Sequence, residues 1–172
     1  MTASHSPTSG HWRSLSKLDF ADFSQVNPDD FLSVVNEEAL RTHLIDHAHF
    51  DSISIREWME DKVKIESLPG CRIRAIYIDG MFAGWCGIQP DDNGFELAII
   101  ISQKFWGIGI SIFKTLMCWA KELGHKEIMF HLLESRPNYQ SLKRLATKVQ
   151  ETELLGRRFM TYYFSVDKWC EI

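Results

Sequence analysis

Between an apolar run that ends at Ile101 and a helical pattern that begins near Ile110 stands Lys104-Phe105-Trp106-Gly107-Ile108-Gly109. Glycines let backbone N–H groups approach a ligand with no Cβ in the way. A helix N-terminus adds about half a positive charge. Together they make a cradle for an anion such as a pyrophosphate, although the same two glycines also suit a plain strand-to-helix turn. In the strand before this joint, Phe95–Ser102, Glu96 is the only acid. Burial there would disfavour the carboxylate and raise its pKa toward the range in which a general base works; on a solvated face it would be an ordinary surface acid. A Walker A loop needs Gly-Lys-Ser/Thr, which is absent, and Ile112 stands where a dinucleotide fingerprint has its third glycine. Glu134 falls about where a ribose-binding acid would lie, so a dinucleotide site stays open on the motif alone.

The elements that must position these groups are legible in outline. Met1–Gly10 reads as a flexible tail, and residues 11–172 as one domain. His11–Phe20 is a weak first strand. Asn27-Pro28-Asp29-Asp30 is a helix start, with Asn as cap and acids in the first turn, and the pattern continues to about His47. Ser54-Ile55-Arg56-Glu57 has the form of a capping box, with Ile53 and Trp58 as its hydrophobic staple, and opens a helix that ends near Leu68-Pro69-Gly70. Arg72–Ile78 and Met81–Gln89 flank the hairpin signal Asp79-Gly80. Pro90–Gly94 is a turn and Phe95–Ser102 a third strand. A helix follows the glycine joint and stops at Gly124. Glu127–Leu133 is a strand, Pro137–Val149 a helix with Leu142, Leu145, Ala146 and Val149 on one stripe, and two strands flank Gly156. Hairpins followed by a crossover specify an α/β (α+β) mixed sheet with helices on its faces.

Composition narrows the function classes. With 172 residues, 45% hydrophobic and 24% charged, the chain has ample material for one core. A net charge of −4 argues against a dedicated nucleic-acid binder. The most apolar stretch, Trp106–Ala120, is interrupted by Lys114 and too short to span a bilayer, so no membrane role is expected. The cysteines at 71, 86, 118 and 170 form no Cys-x-x-Cys pair, and the N-terminus lacks a secretion pattern; both fit a reducing cytoplasm.

At the joint the sequence resembles the GNAT superfamily of acyl-CoA-dependent N-acetyltransferases, whose signature there is Arg/Gln-x-x-Gly-x-Gly/Ala; Lys104 takes the first position. The resemblance covers about residues 71–149 and is nearest to the branch that acetylates ribosomal-protein N-termini. In that branch a hairpin turn, an acid-bearing strand, a Trp-Gly-x-Gly loop and an Asn-x-x-Ser helix occur in the order seen here as Asp79-Gly80, Glu96, Trp106–Gly109 and Asn138–Ser141. The resemblance implies a mostly antiparallel central sheet of about six to seven strands flanked by helices.

It also implies roles. Acetyl-CoA would be the cosubstrate. Lys104 and the amides around Gly107, Ile108, Gly109 and Ile110 would hold its pyrophosphate, backbone groups of Ile99, Ile100 and Ile101 would pair with the pantetheine as an added strand, and Asn138 and Ser141 would meet the same arm. An amine-bearing acceptor, small molecule or protein, would attack the thioester in a ternary complex, with Glu96 as base. The family's usual acid, a Tyr seven residues after the Asn, is replaced by Leu145, which leaves Tyr139, His131 or solvent for that role. That departure keeps open an inactive CoA-binding regulatory module on the same fold. A homodimer through the last strands is compatible with this reading, and no metal is expected: His43 and His47 have helical i, i+4 spacing but no third well-spaced ligand. Lys143, Arg144 and Lys148 form a basic face on the last helix, available to the CoA 3′-phosphate or to solvent. Trp85 and Phe82 read as core or as a wall of an acceptor pocket.

Overall fold

The computed structural model describes residues 16–44, 47–136 and 139–169. Seven strands form one sheet: β1 (Leu18–Asp22), β2 (Arg72–Ile78), β3 (Met81–Asp91), β4 (Gly94–Ile101), β5 (Glu127–Leu133), β6 (Lys148–Leu154) and β7 (Arg157–Ser165). Their order is β1-β2-β3-β4-β5-β7-β6, and every neighbouring pair is antiparallel except β4 and β5. The helices are α1 (Pro28–Val35), α2 (Glu38–Arg41), α3 (Ser54–Glu66), α4 (Gly109–Glu122), α5 (Gln140–Leu145) and α6 (Val166–Trp169). Among them none is long and apolar enough to cross a membrane.

The pleat gives each strand two faces, and each face has its own core. Leu97, Ile101, Ile128, Phe130, Leu132, Tyr162 and Phe164 project to one side and pack on Ile112, Phe113, Leu116 and Met117 of α4 and Leu142 of α5. Ile73, Ala75 and Trp85 project to the other, against Phe31 and Val35 of α1 and Ile55 and Met59 of α3. Two tight hairpins use paired left-handed residues, Asp79-Gly80 and Leu155-Gly156, as a two-residue turn with the natural strand twist requires. The Asp79-Gly80 hairpin, the α4 stop at Gly124 and the strands flanking Gly156 all stand where the sequence patterns place them.

Four local expectations are corrected. The first helix does not run to His47. It ends at Val35, because the Asn36 side chain leaves the helix to exchange two hydrogen bonds with the Phe50 backbone, each 2.9 Å. Residues 45 and 46 lie outside the described residues, as do 1–15. The Ser54–Glu57 capping box is not used: the Asp51 carboxylate accepts the amides of Ile53 and Ser54 instead, which holds its pKa below the ordinary range, and Ile53 is 68% exposed and staples nothing. Most consequentially, Val149 is not on a helix. The last helix stops at Leu145, and the β-branched Thr147 and Val149 turn extended to meet β7, Thr147 N donating to Tyr163 O at 2.8 Å. Lys148 therefore lies on β6, with its ammonium over the Tyr163 ring, and Lys143 and Arg144 are left alone on α5.

Where β3 passes β4, Gly84 has φ +149° and a Cβ built there would lie 1.9 Å from the Ile100 carbonyl oxygen. Gly80 has φ +79° with nothing within 4 Å. Gly84→Ala is accordingly expected to cost about 3 kcal/mol or more, a fall in Tm of roughly 6–12 °C for a chain of this size. Gly80→Ala is expected to cost only about 1 kcal/mol of backbone strain. Thermal unfolding of the two variants side by side checks the difference.

Candidate active site

Parallel pairing between β4 and β5 consists of two residue pairs, Glu96 with Met129 and Leu97 with Phe130. Beyond them β4 runs on to Ile101 and β5 to Leu133 without pairing. The strands therefore part, and the β5-facing backbone edge of residues 98–101 has no strand partner. Buried backbone groups left without a ladder call for another partner. One has found it: the Trp106 indole N–H donates to Ile101 O at 3.1 Å.

The gap opens into a cavity of about 470 Å³, within the size range of small-molecule sites. Ile99 and Ile101 of β4, Phe130 and Leu132 of β5, Phe113 of α4 and Leu142 of α5 make its walls, while Trp106, Gly107, Gly109 and Ile110 bring the glycine joint to its side. Leu40, His43, Arg136, Tyr139 and Ser141 complete the lining. The lining holds no carboxylate. Burial, and secondarily the nearby Arg136 charge, lower the pKa of His43. His43 Nδ1 lies 3.2 Å from Ser135 Oγ, and His47 Nδ1 lies 2.7 Å from Ala48 O, so the two rings are engaged separately beyond the end of α2 and do not share a helix face.

The joint itself is built for backbone donors. Ile108 caps α4 with no side-chain acceptor and there is no acid in the first turn, so the leading amides of Gly109 and Ile110 have no side chain satisfying them. Gly107 has φ +108° and open space where a Cβ would be. Glu37, in the link between α1 and α2, pins the start of this joint: its carboxylate accepts from Ser102 Oγ at 2.6 Å and from Gln103 N at 3.0 Å. That contact spans 65 residues and has no local sequence signal.

Of the residues singled out from sequence, Ile99, Ile101, Gly107, Gly109, Ile110, Tyr139 and Ser141 meet at this one cavity. Ile100 points to the opposite face, toward the core under α1 and α3. Lys104 and Ile108 are in the joint without lining the cavity, with Lys104 Nζ near Met81 Sδ and the Phe105 ring. Asn138 lies outside the described residues. Leu145 is 36% exposed and is not part of the lining. Trp85 and Phe82 belong to the α1 and α3 side core.

Glu96 is not in the cavity. It projects from the other face of β4, at the last rung before the strands part. Its carboxyl is 22% exposed and accepts from Gln89 Nε2 at 2.7 Å. Lys62 of α3 donates to the same Gln89 side chain at 2.6 Å and lies over the Trp85 and Trp58 rings. Burial raises the Glu96 pKa, against the Gln89 hydrogen bond and the His131 and Lys62 charges, while Asp91 adds to the rise. Burial likewise lowers that of Lys62.

No family model matches the sequence, and no curated protein matches it. Solved structures do match the fold. A GNAT-family structure from Chromobacterium violaceum aligns at TM-score 0.63 and 12% identity over 99% of this chain and 98% of its own. The chain has the GNAT fold. A chimera of the Vibrio cholerae spermidine N-acetyltransferase aligns at TM-score 0.67 and 14% identity, over 92% of this chain and 100% of the chimera. A Salmonella typhimurium protein, solved with its cofactor acetyl-CoA, aligns at 0.62 and 15% over 90% and 95%. In this GNAT fold a single parallel pair interrupts an antiparallel sheet, unlike the parallel sheet that a dinucleotide fingerprint opens.

A carboxyl whose pKa is raised by the fold contributes stability that is present at low pH and is lost as pH rises through its folded value. Glu96→Gln, neutral at all pH, is therefore expected to melt above the wild type at pH 7–8. The gap should close toward about pH 4, near the ordinary carboxylate value. Melting curves across pH check this; a Gln variant less stable than wild type at pH 8 would show that the ionic contacts of Glu96 outweigh its burial.

Proposed function

We propose that the protein is an acetyl-CoA-dependent N-acetyltransferase that acts on a primary amine by direct attack in a ternary complex. The observation that carries this is the parting of β4 from β5 after Glu96 and Leu97: it opens an apolar cavity flanked by the uncapped end of α4, with the largely buried Glu96 carboxyl on the opposite face of the sheet at the last shared rung. These features fit a long ligand with an anionic middle and an apolar, amide-bearing arm. The joint amides and the α4 dipole meet the pyrophosphate. The unpaired edge of residues 98–101 meets the arm as an added strand. Phe113, Phe130, Leu132 and Leu142 exclude water around it. Fold neighbours solved with acetyl-CoA or with coenzyme A support the same choice.

When bound, acetyl-CoA supplies an activated acyl thioester. The chain's own task is to place the acceptor and to move protons. An ammonium is not a nucleophile, so Glu96 takes one proton from it, directly or through a water. A second proton leaves the nitrogen as the amide forms, and the departing thiolate takes up one. Tyr139, whose phenol side chain lines the cavity, takes the acid's role that Leu145 cannot fill. A backbone N–H at the β4 edge stabilises the oxyanion. The order of hairpin, acid, glycine loop and Ser141 helix supports a place near the branch acting on ribosomal-protein N-termini; lysines and small amines share the same chemistry.

Acetyl-CoA at about a hundred times its Kd is expected to add roughly 2.7 kcal/mol, raising Tm by roughly 5–11 °C; NAD and ATP at the same concentration leave it unchanged. Stabilisation by NAD alone would overturn the assignment. With a responsive amine, Glu96→Gln is expected to lower kcat by about 10²–10⁴-fold, with the Kd for acetyl-CoA within about threefold. Free-thiol release and calorimetry measure the two quantities.

A further inference from the structure

Four strands contribute to a polar cluster beside Glu96, on the face opposite the cavity's α4 wall. His131 stands two residues beyond Met129, the ladder partner of Glu96, so it projects from the same face one pleat further on. Its Nε2 lies 3.0 Å from Asp91 Oδ2 on β3 and 3.6 Å from Glu96 Oε2 on β4. Its Nδ1 lies 2.7 Å from Thr161 Oγ1 on β7, and that hydroxyl donates to Thr152 Oγ1 on β6 at 3.0 Å. The His131 side chain is 8% exposed.

The hydrogen-bond arithmetic assigns its protons. A threonine hydroxyl has one proton; Thr161 gives it to Thr152 and so accepts from Nδ1–H. Nε2 lies within hydrogen-bond distance of the Asp91 carboxylate, an acceptor, so it carries a proton as well. The ring is then an imidazolium wedged between Asp91 and Glu96. Among the described residues His131 is the only cationic side chain within ion-pair range of Glu96. Lys62, the other cation on this face, spends its short hydrogen bond on Gln89. Among the described residues, Asp91 of β3 and Glu96 of β4 are the charged groups that face the ring, and Thr161 of β7 faces it with Thr152 of β6 behind; Lys62 of α3 acts on Glu96, through Gln89.

We propose that His131, held as an imidazolium by Asp91 and Thr161, is the positioning residue that keeps Glu96 ionised and oriented as the base. It acts through Glu96 and touches neither acceptor nor cofactor. The reason for it is physical. Half-burying a carboxyl stabilises the protonated form, which cannot accept a proton from an ammonium. A cation at ion-pair distance opposes that bias, typically by about one to three pH units at this separation. Asp91 in turn keeps the ring charged, and Thr161 fixes its plane. This rests on the assignment of Glu96 as base, but the charge relation itself is a property of the unliganded protein.

Two readouts separate the two claims. In the free protein, the ¹³C carboxyl signal of Glu96, assigned by its loss in Glu96→Gln, is expected to titrate about one unit or more higher in His131→Gln than in wild type. In turnover, the acid limb of kcat/KM is expected to move up by the same amount. His131→Gln is then about tenfold or more slower than wild type near pH 6 and within about threefold of it near pH 9. If His131 were only structural, its loss would lower the rate by one factor at every pH and leave the Glu96 titration in place; that result would overturn the proposal. Should the Gln variant fold poorly, the wild-type ring decides: ¹⁵N shifts at the midpoint of the Glu96 titration are expected to show both nitrogens protonated, and a neutral ring overturns the proposal. A shifted carboxyl titration in a protein that acetylates no amine would retire the enzyme assignment and leave the charge relation standing.

Discussion

The structure depends on where two parallel strands stop pairing. β4 and β5 share only two rungs, and the rest of their length diverges. A backbone edge left without a ladder needs other hydrogen-bond partners, and the fold arranges itself around that requirement. α4 and α5 line the opening with Phe113 and Leu142, the glycine joint closes one flank, and Glu37 fixes the joint to the opposite side of the chain. Gly84 has a supporting part: only a residue without a side chain lets β3 lie this close to the Ile100 carbonyl, and so hold the divergent half of β4 in line.

The two faces of the sheet divide the chemistry. On the α4 side the gap is apolar and bordered by backbone donors, which suits binding. On the α1 and α3 side it is charged, with Glu96, Asp91, His131 and Lys62 arranged around the last rung. A strand alternates its side chains, so one short run of β4 serves both purposes: Leu97, Ile99 and Ile101 wall the cavity, while Glu96 carries its charge on the far face. The opposing pKa shifts of Glu96 and Lys62 share a cause, partial burial of a charged group. What distinguishes Glu96 is the imidazole beside it.

Local signals in the sequence were enough for most elements. Asp79-Gly80 implies its hairpin because few dipeptides accept two left-handed residues in succession. The apolar spacing from Ile112 to Ala120 implies α4, and the two glycines before it imply a joint with accessible amides. Failures occurred where a distant partner competed with a local preference. Asn36 left its helix for Phe50, Asp51 displaced the Ser54–Glu57 box, and Val149 gave up a helical stripe for the β7 ladder.

The sequence by itself therefore determined the kinds of element, the glycine joint and the one acid in an apolar strand, since each is set by residues within a turn or two of one another. Only the tertiary structure decided that β4 and β5 part after Leu97, that Glu37 reaches Ser102, and that Asp91, Glu96 and His131 converge from three strands. Those outcomes depend on strand register and on contacts between residues from 33 to 65 positions apart. Register is a balance struck by the whole sheet, so no local pattern could have placed an imidazole between those two carboxylates.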